Sequence, residues 1–194
     1  MKIIKGILIT IGAIVVLFFV VALFLPASST LERTIEINKP PEVVFGQVVD
    51  FNNYLKWNPW SEREPTAKNT ITGEAGTVGS SWAWEGEEIG AGSLTIEKIE
   101  PNQSIHSAFV SKKPFEGTAS VDWTFQATDS GTKVTWQFTG KNPYPTMRYM
   151  GLMVDGMLGP QLEKGLANLK IRCEALPDQE VQEEGTEDNK SGTN

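Results

Sequence analysis

Residues able to carry acid–base, nucleophilic or metal chemistry are few in this chain. There is one cysteine, Cys173, and one histidine, His106, among 194 residues. A single cysteine excludes an intramolecular disulfide, and the pair is too small for the usual zinc cages or histidine triads. The sequence therefore predicts no metal site and no cofactor. We interpret His106 as structural or exposed and Cys173 as a small buried apolar residue.

Six charged residues could face an internal cavity, and two carboxylates can divide acid and base roles when burial separates their pKa values. The six are Asp50, Glu85, Glu97, Asp122, Asp155 and Arg148. No spacing selects a pair from them. Strand alternation places Asp122 and Glu85 on wet faces, and Asp50 falls at a helix end. We therefore assign no catalytic residue.

Charge divides the chain into three predicted parts, residues 1–30, 31–174 and 175–194. The first 30 residues hold two lysines and no acids, residues 31–173 hold 14 bases and 17 acids, and residues 174–194 hold seven acids and one lysine. The nearly neutral middle lacks a basic stripe, which argues against nucleic acid as a partner. The acidic end contains too little apolar surface to offset ordering entropy, so we expect it to be disordered.

The first part contains a long apolar run. From Ile7 to Leu25 there are 19 uncharged residues, of which 15 are Ile, Leu, Val or Phe. As a helix the run reaches roughly 30 Å, which matches the hydrocarbon thickness of a bilayer. On the insertion scale these side chains favour the membrane by roughly 5 to 9 kcal/mol. The run predicts a single membrane span.

The alternative is a cleaved secretory signal, since Lys2 and Lys5 precede the run and small residues follow it at positions 27–29. Signal cores are shorter, typically about 7 to 15 residues, which favours a retained anchor. The lysines before the run place the N-terminus in the cytoplasm under the positive-inside rule. Either way we expect the domain on the far side, periplasmic or extracellular.

The middle part shows strand and helix periodicities in a definite order. A strand is predicted at Glu32–Asn38, then a helix from Pro41 to Asp50, and then a second short helix that Pro59 ends. Further strands are predicted near Gly79–Glu85, from Gly92, and at Gln103–Ser111. Residues 119–127 and 134–138 alternate cleanly around a turn at 129–131 and predict an antiparallel hairpin.

The final segment, Thr146 to Glu174, has apolar residues at helical spacings, including a stripe of methionines. We expect one long amphipathic helix or two joined helices that cover the sheet. Gly159-Pro160 is expected to kink this helix, because proline removes a backbone donor and clashes with the preceding turn. The predicted fold class is therefore α+β, with a curved antiparallel sheet beneath a C-terminal helix.

Three sequence segments resemble a known family. The stretches 35–45 (IEINKPPEVVF) and 50–60 (DFNNYLKWNPW), with the closing Gly159-Pro160 and 165–170 (GLANLK), are similar to the SRPBCC superfamily, especially membrane-anchored members of its polyketide cyclase/dehydratase group. The resemblance covers about Leu31 to Cys173. It implies the helix-grip fold and a hydrophobic cavity between sheet and long helix. It does not fix an activity, because this fold supports carriers, cyclases and regulators.

Candidate ligand-binding residues are the large apolar side chains on the predicted covered faces. Two interpretations are open for each group: tryptophans shape a cavity or simply fill it, and methionines adapt to varied ligands or fill a core. We interpret Trp57 and Trp60 as a plug or rim at the cavity mouth. The candidates are Trp57, Trp60, Trp82, Trp84, Leu94, Ile96, Trp123, Phe125, Trp136, Met150, Met153 and Met157.

Three functions remain open on this sequence. The leading hypothesis is a membrane-anchored domain that binds a hydrophobic small molecule or lipid between sheet and helix. The second is a cyclase or dehydratase, which two polar groups converging in the cavity would support. The third is an interaction module without ligand, whose core would be filled. Neither the ligand nor the oligomeric state follows from the sequence.

Overall fold

The computed structural model describes residues 2–177, so the predicted disordered tail lies outside the described residues from position 178 onward. The chain begins with α1 (Lys2–Phe24), whose segment Ile3–Phe24 is long and apolar enough to cross a membrane. A signal sequence would meet the same description. Only residues 25–27 separate α1 from the first strand, β1 (Ser28–Ile37).

Three short helices follow β1 and pack beneath the sheet. They are α2 (Pro41–Val49), α3 (Phe51–Tyr54) and α4 (Pro59–Arg63). Pro41 and Pro59 both occupy first-turn positions, where the missing N–H costs nothing. The expectation that Pro59 ends a helix was wrong, because it begins α4. Asp50 caps α3 by accepting from the Asn52 backbone N–H at 2.8 Å.

Seven strands form one antiparallel sheet in the order β1-β7-β6-β5-β4-β3-β2. Their bounds are β2 (Lys68–Thr72), β3 (Ser81–Glu85), β4 (Ala91–Glu100), β5 (Ser104–Lys113), β6 (Gly117–Thr128) and β7 (Gly131–Lys141). The predicted β6–β7 hairpin is confirmed, with Trp123 opposite Trp136. Strand β2 was not predicted, because Ile71 is its only large apolar residue and it pairs at the sheet edge with β3 alone.

The register brings one end of every strand to the side where α1 enters, β2 included, since Lys68 pairs with Glu85. Ser28 pairs with Lys141, Ala119 with Gly140, Gly117 with Ser111, Ala91 with Lys113, and Ala91 with Glu85. We call this side of the sheet the anchor end. It also contains the β3–β4 loop (86–90) and the tip of the β5–β6 hairpin (114–116). The opposite side, the distal end, carries the β4–β5 and β6–β7 turns.

Two helices close the fold, α5 (Thr146–Gly151) and α6 (Val154–Glu174). The interruption lies at residues 152–153 rather than at Gly159-Pro160, and α6 continues through Pro160. The alternative of two joined helices is therefore confirmed, and the kink at Gly159-Pro160 stays a prediction. Gly156, whose carbonyl Pro160 leaves without its helical donor, is exposed, so water can take the place of that donor.

The methionine stripe does not form the buried face of the closing helix. Met153 and Met157 are 58% and 55% exposed, whereas Leu162, Leu166, Leu169 and Cys173 are buried against the sheet. Spacing alone predicted a helix correctly but could not distinguish its inner face from its outer one. The prediction that Cys173 is buried is confirmed, and burial raises the pKa of its thiol to about 12.

Candidate functional site

An internal cavity of about 250 Å³ lies between the sheet and α6, in the half of the domain nearer the anchor end. The distal half is packed instead. There Trp123 stacks on Trp136 with ring centroids 4.4 Å apart, and Phe45 meets Phe125 edge-on at 5.4 Å. Packed side chains therefore close the cavity toward the distal end, and the cavity lies toward the side where α1 enters.

Aromatic side chains form most of the cavity wall. Trp82 and Trp84 project from β3 with centroids 4.7 Å apart, because residues two apart on a strand share a face. Phe109 of β5 lies 5.6 Å from Trp84 and 5.5 Å from Phe138 of β7. Because each rigid ring is held in place by its neighbours, the rings leave an open space between them.

Aliphatic residues complete the lining from both sides. Leu158 and Leu162 of α6 form the roof, and Leu94 of β4 and Val121 of β6 contribute to the floor. Trp60 of α4 also reaches the cavity and meets Trp136 edge-on at 6.0 Å. The lining thus draws on the sheet, the short helices and the closing helix, which explains why no single segment reveals it.

The β3–β4 loop, which supplies Ile89 to the lining, is held by one carboxylate. Glu64 accepts from the backbone N–H groups of Glu87, Glu88 and Ile89 at 2.7, 2.9 and 3.0 Å. These hydrogen bonds, chiefly those from Ile89 and Glu87, hold the pKa of Glu64 below its ordinary value. An ionised acceptor makes each bond stronger than a neutral one would.

Polar groups in the lining are few. The Tyr54 phenol is buried, and burial raises its pKa, so it stays neutral. Ser111 and Lys113 lie near the anchor end, where Lys113 pairs with Glu85 at 3.4 Å and Pro114 follows it. Among residues 2–177 no carboxylate and no imidazole belongs to the lining. Such a cavity offers apolar contact together with one phenol, one hydroxyl, one amine and the indole N–H groups of four tryptophans.

The predicted binding residues divide between cavity and core. Five line the cavity, namely Trp60, Trp82, Trp84, Leu94 and Trp136. Four are buried in the core without reaching it, namely Trp57, Ile96, Trp123 and Phe125. Trp57 is fixed there by its indole N–H, which donates to the Gln47 carbonyl at 2.8 Å. Met150, Met153 and Met157 lie outside the lining.

Sequence reasoning did not single out several lining residues. Phe138 could have been found, since it shares a strand face with Trp136. Phe109 lies on a strand whose alternation is weak, and Ile89 and Pro114 belong to loops that carry no periodicity. The sequence places Tyr54 in a short helix but does not show which face of that helix is buried. In the structure the Tyr54 ring packs against Trp82, with centroids 5.6 Å apart.

The charged candidates lie apart from the cavity. His106 is on the outer face of the sheet, with Nδ1 2.5 Å from Asp122 Oδ1 and Nε2 3.6 Å from Glu97 Oε2. The Ser120 hydroxyl donates to Asp122 at 3.0 Å. A nucleophilic triad requires the hydroxyl to contact the imidazole, and here the aspartate stands between them. Asp155 pairs with Arg33 at 2.7 Å on the surface.

Residues 28–174 match a family model described as "Polyketide cyclase / dehydrase and lipid transport". The chain belongs to this family. The match spans the whole sheet, the short helices and the closing helix, and so covers every element that lines the cavity. The fold is the helix-grip fold of the SRPBCC superfamily, as its sequence resemblance implied. No curated protein sequence matches the chain.

Solved structures with the same fold are distant in sequence. An uncharacterized protein from Rhizobium leguminosarum superposes with a TM-score of 0.59 at 18% identity, covering 76% of this chain and 95% of its own. The di-domain ARO/CYC StfQ of the steffimycin biosynthetic pathway gives 0.56 at 12%, covering 76% and 51%. Ara h 8.0201 gives 0.55 at 15%, covering 77% and 99%. These likenesses show that the fold is shared.

Proposed function

We propose that this protein is a membrane-anchored domain that binds one small hydrophobic molecule, or one lipid chain, in the cavity beneath α6. The observation that carries the proposal is the apolar hollow of about 250 Å³ with its aromatic wall. Burying apolar surface is favourable at about 25 cal/mol per Å², so binding requires no specific polar partner. A ligand-free interaction module would be expected to fill this space.

The size of the cavity limits the ligand. Pockets for small molecules usually enclose about 300–1,000 Å³, whereas an apolar cavity of about 150 Å³ suffices for benzene. A volume of about 250 Å³ fits a single chain of moderate length or a small ring system better than a bulky polycycle. The absence of carboxylate and imidazole from the lining favours binding over a cyclase or dehydratase reaction.

The anchor is the second part of the proposal. Most side chains of α1 are exposed in the isolated chain, with Ile3 80% and Leu8 64% accessible. A helix that is apolar on all sides is stable in water only when covered, and a bilayer provides that cover. We expect α1 to remain attached as a single span, with its N-terminus in the cytoplasm and the domain on the far side.

Native mass spectrometry of the detergent-purified full chain tests ligand binding directly. We expect a co-purified apolar molecule that leaves when α6 is unfolded by collisional activation. A chain that carries nothing and also fails to take up decanoic acid would overturn the proposal.

Filling the cavity should abolish uptake. Leu158 lines the roof and is partly exposed, so Leu158→Trp can place its ring in the hollow without disrupting the core. We expect at least a tenfold loss of affinity for ω-bromodecanoic acid, which corresponds to about 1.4 kcal/mol. The bromine quenches tryptophan on contact, so quenching of the lining tryptophans reports occupancy, and decanoic acid serves as a competitor that does not quench.

Met157→Trp is the matched control. Met157 is the preceding residue of the same helix, is 55% exposed and lies outside the cavity lining, so it adds the same chromophore without filling the hollow. Its affinity should equal that of the unaltered chain. Equal binding by both variants would show that the fatty acid occupies some other place.

A further inference from the structure

Exposed apolar side chains concentrate at the anchor end. Outside α1, six large apolar residues among those described are more than half exposed. Four of them lie at this end of the fold: Phe115 at the β5–β6 tip, Leu152 and Met153 between α5 and α6, and Met157 in the first turn of α6. Such clustering on one side indicates an interaction surface rather than random exposure.

Helix α5 lies beside α1, not beyond its end. The Tyr149 ring stacks on Phe18 at 4.7 Å and its hydroxyl donates to the Phe18 carbonyl at 2.6 Å, while the Tyr144 hydroxyl donates to the Phe19 carbonyl at 3.2 Å. Phe18 precedes Phe24 by six residues, which is about 9 Å along a helix axis. If α1 spans a bilayer, these tyrosine hydroxyls contact it about 9 Å inside the C-terminal end of the span, so α5 lies against the outer part of the membrane segment.

Arg148 fixes this arrangement. Its guanidinium donates to the carbonyls of Ala22, Leu23 and Leu25, each at 3.1 Å, at the C-terminus of α1. A cation there satisfies carbonyls that have no helical donor and complements the helix dipole. Together with the three-residue connection to β1, this contact prevents the domain from tilting freely on its anchor.

The cavity opens on the same side. The most exposed residues of its lining are Lys113 and Pro114, at the base of the β5–β6 tip that carries Phe115. Strands β6 and β5 are the second and third neighbours of β1, so at about 4.8 Å per strand the tip stands roughly 10–14 Å to the side of the anchor. The exposed part of the lining and the exposed apolar residues thus lie at the same end of the domain as the C-terminus of α1.

We propose that the anchor end rests in the interface of the bilayer that α1 crosses, with Phe115, Leu152 and Met153 inserted among the lipids, so that the cavity opens to lipid rather than to water. Charge at this end is mixed, since it carries three lysines and four glutamates, namely Lys112, Lys113, Lys141, Glu85, Glu87, Glu88 and Glu116. The attraction is therefore apolar and does not require anionic lipid. This docking surface depends on the retained anchor of the proposed function. It adds to that function the route by which a ligand enters.

Site-specific labelling of the full chain in phosphatidylcholine nanodiscs tests this surface. Phe115→Cys is labelled with a nitrobenzoxadiazole dye, and a fraction of the lipid carries a nitroxide near the headgroup. Phe115 is 66% exposed, so the change should not disturb folding. Because interfacial insertion reaches about 5–10 Å into the lipid, we expect quenching by about half or more. Cys173 is buried and its pKa is raised to about 12, so it should take little label.

Two further sites distinguish the possible failures. Ser130→Cys, exposed at the distal β6–β7 turn, should keep its fluorescence and remain open to iodide in the water. Val15→Cys, in the middle of α1, should be protected from iodide whenever the span is formed. Protection at 15 with position 115 as open to iodide as position 130 would overturn the docking surface alone. Loss of protection at 15 would instead overturn the anchor.

Discussion

At the scale of single residues, the cavity depends on a side chain that does not line it. Glu64 belongs to the turn after α4, yet its carboxylate orders the β3–β4 loop through three backbone N–H groups. Without that acceptor, three donors would rely on water, and Ile89 would lose its fixed position in the lining. Glu64 is therefore a positioning residue for the cavity.

Replacing Glu64 should loosen the loop. Glu64→Gln keeps the shape but removes the charge, so we expect amide hydrogen exchange at residues 87–89 to speed up severalfold while the rest of the sheet stays unchanged. Glu74→Gln, in the exposed turn between β2 and β3, is the control. Unchanged protection at 87–89 would show that the loop is held by other contacts.

The same contact predicts a pH dependence. The pKa of Glu64 in the folded chain lies below its ordinary value of 4.5, so its contribution to stability is fully present above pH 4.5. It is lost as the pH falls through the lower folded value. The difference in melting temperature between the unaltered chain and Glu64→Gln should therefore be largest near neutrality and shrink below pH 4.5. A difference that grows on acidification would contradict this assignment.

Sequence could indicate which residues are apolar, but not which of them leave space. Trp123 and Trp136 lie opposite each other on adjacent strands and share a face, and yet only Trp136 reaches the cavity. Trp57 packs edge-on against both rings, at 5.9 and 6.2 Å, so the distinction arises from other neighbours. Trp60, itself a lining residue, lies 6.0 Å from Trp136, whereas Phe125 of the packed half stacks on Trp123 at 6.4 Å. Trp60 is remote in sequence from both strands, so strand periodicity predicts the shared face but not the edge of the hollow.

At the scale of elements, the closing helix approaches the sheet through a residue that has no side chain. A Cβ on Gly165 would lie 2.7 Å from the Trp136 ring and 3.1 Å from Pro59. That close approach sets the depth at which Leu162 and Leu166 enter the core. Gly156 lies on another face of the same helix, and a Cβ added there would have no neighbouring atom within 4 Å.

These two glycines give a matched pair. Gly165→Ala should destabilise the fold by about 1–3 kcal/mol, because overpacking forces α6 or Trp136 to move. Gly156→Ala should be neutral or stabilise by up to about 1 kcal/mol, since alanine favours the helix and meets no obstacle. Urea unfolding followed by tryptophan fluorescence measures both. Equal effects would show that helix propensity, and not the close approach, dominates at Gly165.

The order of helices and strands was predictable where the spacing of apolar residues agreed with the turn and proline residues that bound each element. The alternation of β6 and β7, the prolines opening α2, and the long apolar run of α1 each appear in the sequence and in the structure. The position of the break between α5 and α6 was not predictable, because it depends on contacts with residues that are distant in the sequence. Gly151 packs against Asn142 and Ser29, and the Ser29 hydroxyl donates to the Gly151 carbonyl at 3.0 Å, which turns the chain before Met153.

At the scale of the whole molecule, the proposed retention in a membrane depends chiefly on α1, the only segment among the described residues that is long and apolar enough to span a bilayer. An aspartate at the centre of a span costs about 2.5–3.5 kcal/mol, so Val16→Asp should shift a substantial fraction of the chain out of the carbonate-resistant membrane pellet. Val16→Leu is the control and should stay in the pellet. A chain that is released to the same extent in both variants, or that is found shortened at its N-terminus, would indicate signal cleavage instead of anchoring.

The connection between α1 and β1 has a bearing on transport. Three residues extend at most about 11 Å, and the Arg148 contacts shorten even that reach. With α1 retained as the proposed anchor, so short a connection would keep the domain from carrying a ligand across an aqueous compartment. The proposal then implies a stationary binding domain, which would pass its ligand directly to a second protein or back to the adjoining lipid.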